Sequence, residues 1–225
     1  MLGIRTDEDW IKLYEEKGAL WWHDGNPKRP HALLTSGKHS DGFFNSELVM
    51  EDPNSLNDAC ADLIMALRTT DFNFGSFERV VGPAMGAITL VHDLARLISR
   101  RRSWPCLRAY VEKKDKGASA QMVFRRTNIR SGEHILLAED VLTTGASVDL
   151  TAKAVEDAGG VVLPYIVMLV NRSGLKEVSG RKIVALIDRP MSTWIPSECP
   201  LCRVGSEAIH PKTPPENWKL LNDVY

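Results

Sequence analysis

The chain has 225 residues, 44% of them hydrophobic and 25% charged, values of a folded globular protein. At a prior of roughly 150 residues per domain it reads as one large α/β domain with terminal additions. Lysine and arginine number 28 against 29 acids, a net charge of −1, so no bulk field holds a polyanion and nucleic acid is not an expected partner. The longest apolar run, Val161 to Val170, is about half of a membrane-crossing helix, and no membrane span is expected. The acidic N-terminus has no apolar signal core and the chain holds four cysteines, which points to a reducing cytoplasm.

In chain order, Asp7 to Gly18 carries Trp10, Leu13 and Tyr14 at helical spacing and ends at a glycine, predicting a short amphipathic helix. After Pro53, Leu56, Cys60, Leu63, Ile64 and Leu67 recur as one buried helix face, with Cys60 a small core residue. A strand near Arg79 to Val81, a turn at Gly82-Pro83 and a helix through Ile88, Val91, Leu94, Ala95 and Ile98 follow. Leu107 to Val111 reads as a strand, Glu112 to Gln121 as a polar loop with three lysines, and Met122 to Phe124 as a short strand. Ile135 to Ala138 is near-continuously apolar, as in a central strand buried on both faces. A helix through Val148, Ala152 and Val155 stops at Gly159-Gly160, and strands at Tyr165 to Val170 and Ile183 to Ile187 complete the alternation. The expected architecture is an open, mainly parallel sheet with helices on both faces. Residues 1–53 form an N-terminal helix and hood, 54–190 the core, and 191–225 a proline-rich extension with only short regular structure.

In such a sheet ligands bind beyond the carboxyl ends of strands, where this chain holds Glu139-Asp140-Val141-Leu142-Thr143-Thr144-Gly145-Ala146-Ser147. Two carboxylates stand where they accept hydrogen bonds from vicinal hydroxyls or face a hydrated cation. The hydroxyls, the turn N–H groups and the helix N-terminus behind them form a phosphate cradle. The plainer alternative makes Asp140 a strand terminator and Ser147 a helix cap. The turn lacks the glycine-lysine ending of a P-loop and the three-glycine dinucleotide fingerprint. A phosphorylated sugar is the expected ligand.

The run Ile135 to Ser147 resembles the phosphoribosyl-diphosphate (PRPP) motif of type I phosphoribosyltransferases. Ala32-Leu33-Leu34-Thr35-Ser36-Gly37-Lys38-His39-Ser40-Asp41-Gly42-Phe43-Phe44-Asn45 is similar to the N-terminal segment of the orotate phosphoribosyltransferase family. The resemblance implies that fold, and a Mg²⁺-dependent displacement of pyrophosphate from PRPP by a nucleobase, orotate above all. It implies that Glu139 and Asp140 hold the ribose hydroxyls, that Thr143 to Ser147 bind the 5-phosphate, and that Gly82-Pro83-Ala84-Met85-Gly86 is the pyrophosphate loop. The resemblance also implies that Lys113, Lys114 and Lys116 fall in a lid reaching across a homodimer interface, with Lys114 as the catalytic lid lysine. It implies that Phe43, Phe44, Thr143 and Arg172 line the base site, with Arg172 for the orotate carboxylate. By the same resemblance Mg²⁺ is expected to be held mainly by PRPP, through water to Asp140, with no direct protein ligand.

Some positions depart from the family. Thr35 stands where a PRPP-binding lysine is common, Tyr110-Val111 replace a basic pair, and Gly86 replaces a lysine, a pattern resembling a shorter-lid subgroup. Cys199-Pro200-Leu201-Cys202, a tail that subgroup shares, has the spacing of half a zinc site. Only His210 is close in sequence, so a tight turn packed near the sheet is expected. His39 reads as completing a turn and the six tryptophans as packing residues. Two other functions stay open: transfer to a different nucleobase, and a non-catalytic PRPP sensor.

Overall fold

The computed structural model describes residues 5–75, 77–114 and 121–225. The chain begins with α1 (Asp7–Glu16), β1 (Leu20–Trp22), β2 (His31–Leu33), β3 (His39–Ser40), β4 (Gly42–Phe44), α2 (Glu47–Met50) and α3 (Pro53–Arg68). The core continues with β5 (Arg79–Pro83), α4 (Ile88–Ser99), β6 (Leu107–Lys113), β7 (Met122–Val123), β8 (His134–Leu142), α5 (Ala146–Asp157), β9 (Val161–Asn171), β10 (Glu177–Val178) and β11 (Arg181–Asp188). The extension adds β12 (Thr193–Trp194), a 3₁₀ turn at Pro196–Glu198, α6 (Pro200–Arg203), β13 (Ala208–Ile209) and α7 (Glu216–Asn222).

Local chemistry sets the helix starts. Thr6 and Asp9 form a reciprocal capping box on α1, and Asp52 caps α3 with Pro53 in its first turn. The main sheet runs β10-β11-β9-β8-β5-β6-β7. The five inner strands are parallel and the two edge strands antiparallel, so the expected open sheet is present. Successive side chains of β8 alternate between two cores: Leu136 and Ala138 pack with Leu63, Leu90 and Leu94, while Ile135 and Leu137 pack with Val148, Ala152 and Val155. Burial on both faces is the reason the strand is apolar at every position from Ile135 to Ala138.

Three strands outrun their expected ends. Strand β8 continues through the acids to Leu142 because β9 offers partners to Glu139 and Val141; β5 continues through Gly82-Pro83, and β6 to Lys113. The carboxylates therefore stand on the strand itself rather than past it. A second, four-stranded sheet, β12-β3-β2-β13, joins the two ends of the chain. Trp21 Nε1 donates to Leu221 O at 2.7 Å, and the Phe43 and Trp218 rings meet edge to face at 5.8 Å. This hood corrects two expectations. Buried His39 is a strand residue, not a turn residue, and Cys199 and Cys202 face the hood histidines rather than the main sheet. No helix among the described residues is long and apolar enough to cross a membrane.

Candidate active site

The ends of β5, β6 and β8 and the hood enclose a cavity of about 340 Å³. Glu139, Asp140, Val141, Thr143 and Ser147 line it from the central strand and its turn; Thr35, Phe43, Phe44 and Arg172 line it from the hood side. A second cavity of about 470 Å³ lies between residues 121–129 and α5. Its charges are the exposed pair Lys153 and Asp157, and it has no buried acid or base, so the chemistry belongs to the first cavity.

Glu139 is buried and its Oε1 accepts the Asp140 N–H at 3.1 Å. Burial first, then the charge of Asp140, hold its carboxyl well above the usual carboxylate range, and its neutral form shares a hydrogen bond with Asp140. With Glu139 protonated, the pair presents one proton donor and several acceptor oxygens, a set suited to vicinal hydroxyls. Among the described residues no lysine or arginine pairs with Asp140. Gly86 lies against it so closely that a Cβ would fall 2.6 Å from Oδ2.

The turn after β8 is capped by Gly145 at φ +86°, which offers no side chain, and the Ala146 N–H reaches Thr144 Oγ1 at a long 3.5 Å. A left-handed residue here suits glycine, and Val178 Cγ1 would lie 3.0 Å from a Cβ. The helix N-terminus is left open to an anion. Ser147 sits inside the first turn and lines the cavity, so it is not the cap; Thr144 and Ala146 are exposed beside it. Leu142 is a core residue whose carbonyl accepts the Arg172 N–H at 3.1 Å, tying the turn to the strand that carries the arginine.

In the loop after β5, Pro83, Ala84 and Gly86 line the cavity. Gly82 does not: a Cβ there would lie 2.5 Å from Ala138 O, so its missing side chain serves sheet packing. The Ala84 N–H is taken by Val111 O at 2.8 Å. The loop N–H groups left without partners among the described residues are those of Met85 and Gly86. Within the Gly82 to Gly86 loop the ladder to β6 runs to Pro83, which occupies the first residues in sheet pairing. Lys113 ends β6 and lines the cavity. Lys114 is exposed, outside that lining, and its N–H meets Gln121 O at 2.8 Å. Lys116 lies outside the described residues.

Arg172 is 2% exposed. Its Nη1 donates to Gly42 O at 2.9 Å, its Nη2 to Ser40 Oγ, and its Nε has no partner. Among the described residues no carboxylate lies within ion-pair distance of it. Burial lowers its pKa to about 10, against the pull of Asp41, so it stays cationic at neutral pH. A buried cation with no carboxylate in ion-pair contact among the described residues is suited to take an anion. The C-terminal segment also supplies His210, Pro211, Lys212 and Thr213 to the cavity. Nothing in their local pattern marks them; the pairing of Ala208 with His31 brings them there.

A PRPP-type cradle beside an acid pair at the end of a central parallel strand defines a class, and residues 52–199 match the phosphoribosyl transferase domain model. The chain belongs to that family. Over 90% of its length and 95% of the relative's it is 34% identical to orotate phosphoribosyltransferase of Caldicellulosiruptor bescii. It is 32% identical to the protein of that name in Acidithiobacillus ferrooxidans, over 92% of this chain and 96% of the other. The fold matches the crystal structure of orotate phosphoribosyltransferase from Aeropyrum pernix with a TM-score of 0.57 at 23% identity, covering 78% of this chain and 91% of that one.

Proposed function

We propose that the protein transfers the phosphoribosyl group of PRPP to orotate, forming orotidine 5′-monophosphate and pyrophosphate in pyrimidine synthesis. The observation that carries the base assignment is Arg172, a buried cation at the hood side of the cavity with no carboxylate in ion-pair contact among the described residues. Each terminal nitrogen keeps one N–H beyond its bond to the hood, so the guanidinium can take the carboxylate that distinguishes orotate from uncharged bases. Phe43 supplies an apolar wall.

A base nitrogen forms the new bond to the anomeric carbon as the bond to pyrophosphate breaks, and positive charge develops on the ribose. Glu139 and Asp140 hold the sugar hydroxyls, and the open N-terminus of α5 with Thr143, Thr144 and Ser147 holds the 5-phosphate. The Met85 and Gly86 N–H groups and Lys113 face the departing pyrophosphate. Asp140, a hard oxygen donor with no cationic side chain paired to it among the described residues, fits Mg²⁺ held with PRPP through water. When bound, Mg²⁺ supplies charge neutralisation on pyrophosphate.

Lys114 does not line its own chain's cavity, as suits a residue that serves a neighbour's site. A homodimer sharing Lys114 and Lys116 across the interface, in a cytoplasmic setting, completes the reading. The test is a base panel: purified protein, PRPP and Mg²⁺ with orotate, uracil, adenine and guanine in turn. Orotate alone should be consumed; turnover of another base with orotate inert would overturn the assignment to orotate and keep the cradle.

A further inference from the structure

Two imidazoles and two thiols meet inside the hood, away from the acid pair. His31 Nε2 lies 3.5 Å from Cys199 Sγ, 3.6 Å from Cys202 Sγ and 2.9 Å from His39 Nδ1, and Cys202 Sγ lies 3.3 Å from His39 Nδ1. All four ligand atoms fall within 4.8 Å of one another, and neither cysteine is in a disulfide. We propose that His31, His39, Cys199 and Cys202 form a structural zinc site that pins the two ends of the chain together.

The backbone builds the cluster from both sides. Strands β2 and β3 pair with Leu33 opposite His39, so His31 is the diagonal neighbour of His39 on the same face, and the rings stand 4.9 Å apart. Cys199 caps the single turn α6 and Cys202 lies within it, the spacing that turns both thiols to one side. A tetrahedral zinc with bonds of about 2.0 Å to nitrogen and 2.3 Å to sulfur sets nitrogen and sulfur about 3.6 Å apart, and two nitrogens about 3.3 Å apart. Three of the nitrogen–sulfur distances, 3.3 to 3.6 Å, lie within about 0.3 Å of that value, and the imidazoles need to part by a few tenths of an ångström.

The tautomer of His31 is set by its neighbour. The Ser206 hydroxyl donates its one proton to Arg29 O at 2.6 Å, so its oxygen, 2.8 Å from His31 Nδ1, accepts from that nitrogen. Nε2 then carries a lone pair aimed at the thiols, with an orienting partner behind the ring as metal-bound histidines have. Zinc binding releases the two thiol protons; two thiolates and a dication leave a neutral centre, which suits a site where His31 and Cys199 are fully buried. A redox dithiol would leave both imidazoles unexplained. With four protein ligands no position is open to substrate, so the metal is structural. Leu33, Leu34 and Thr35 on one side and His210 to Thr213 on the other continue from the ligands into the cavity wall.

The full chain, produced under reducing conditions without a histidine tag and dialysed, should retain about one zinc per chain by mass spectrometry. Cobalt replacing it should give the visible bands of a tetrahedral ion and a thiolate-to-metal charge-transfer band. Cys202→Ser, at the surface, should lower that band and weaken zinc at least 100-fold, while His210→Ala should change neither. Wild-type protein that takes up no zinc or cobalt, a cobalt spectrum without thiolate, or equal metal loss in His210→Ala would overturn the proposal. The wild-type measurements decide even if Cys202→Ser does not fold.

Discussion

Gly86 and Asp140 are in such close apposition that a Cβ on the glycine would sit 2.6 Å from Oδ2 and 2.9 Å from Oδ1. The loop after β5 and the end of β8 thereby hold the Asp140 carboxylate in one place. Gly86→Ala should push it aside and lower kcat/KM about tenfold, ~1.4 kcal/mol of transition-state stabilisation, while the melting temperature stays near wild type. Full activity in this variant would show that the contact does not position the acid.

Arg172 separates base binding from donor binding. Arg172→Lys keeps a charge but loses the fork that spans Gly42 O, Ser40 Oγ and the cavity. The loss of one charged hydrogen bond, about 2 kcal/mol, should raise KM for orotate roughly 30-fold and leave KM for PRPP nearly unchanged. Steady-state kinetics with each substrate varied in turn reads the split; an equal rise in both would place Arg172 outside the base site.

Burial, then the charge of Asp140, raises the pKa of Glu139 well above 4.5. The folded state therefore binds a proton that the unfolded chain releases. This contribution is full below pH 4.5 and is lost as pH rises through the raised value. Glu139→Gln should remove that decline, making the variant relatively more stable than wild type at alkaline pH, though poor in turnover. Parallel melting curves of the two proteins across pH would contradict the raised pKa.

Glu133 has the opposite linkage. Its Oε1 accepts from Arg79 Nε at 2.9 Å and its Oε2 from Arg130 N, with both side chains of the pair almost fully buried. Burial acts to raise its pKa, but those bonds and charges hold it below 4.5. The stabilisation is present above pH 4.5 and disappears as pH falls through the lowered value. Glu133→Gln strands the guanidinium and should cost about 3 kcal/mol in urea unfolding. Activity per folded molecule should hold, since Glu133 lies next to the opposite end of β8 from the acid pair.

Much of the core was legible because its signals are local. Ile135 to Ala138 are apolar on alternating faces that both find a core, and the step from acids to hydroxyls to glycine marks a strand giving way to a helix. The strand ends were less legible, since ladder partners on β6 and β9 decide them. Least legible were the hood contacts. His31 and His39 lie 163 to 171 residues from the cysteines they meet, and His210 to Thr213 reach the cavity only through the pairing of β13 with β2. The cation of Arg172 was readable as a residue type, but its burial without a counterion was not.

The most direct measurement is turnover of PRPP with orotate and Mg²⁺, following loss of orotate absorbance and release of pyrophosphate, for wild type and for Glu139→Gln with Asp140→Asn. Wild type should consume orotate with one pyrophosphate released per nucleotide formed, and the double variant should fold and lose nearly all turnover. Near-normal turnover in the folded double variant, or pyrophosphate release without nucleotide from wild type, would contradict phosphoribosyl transfer at this acid pair.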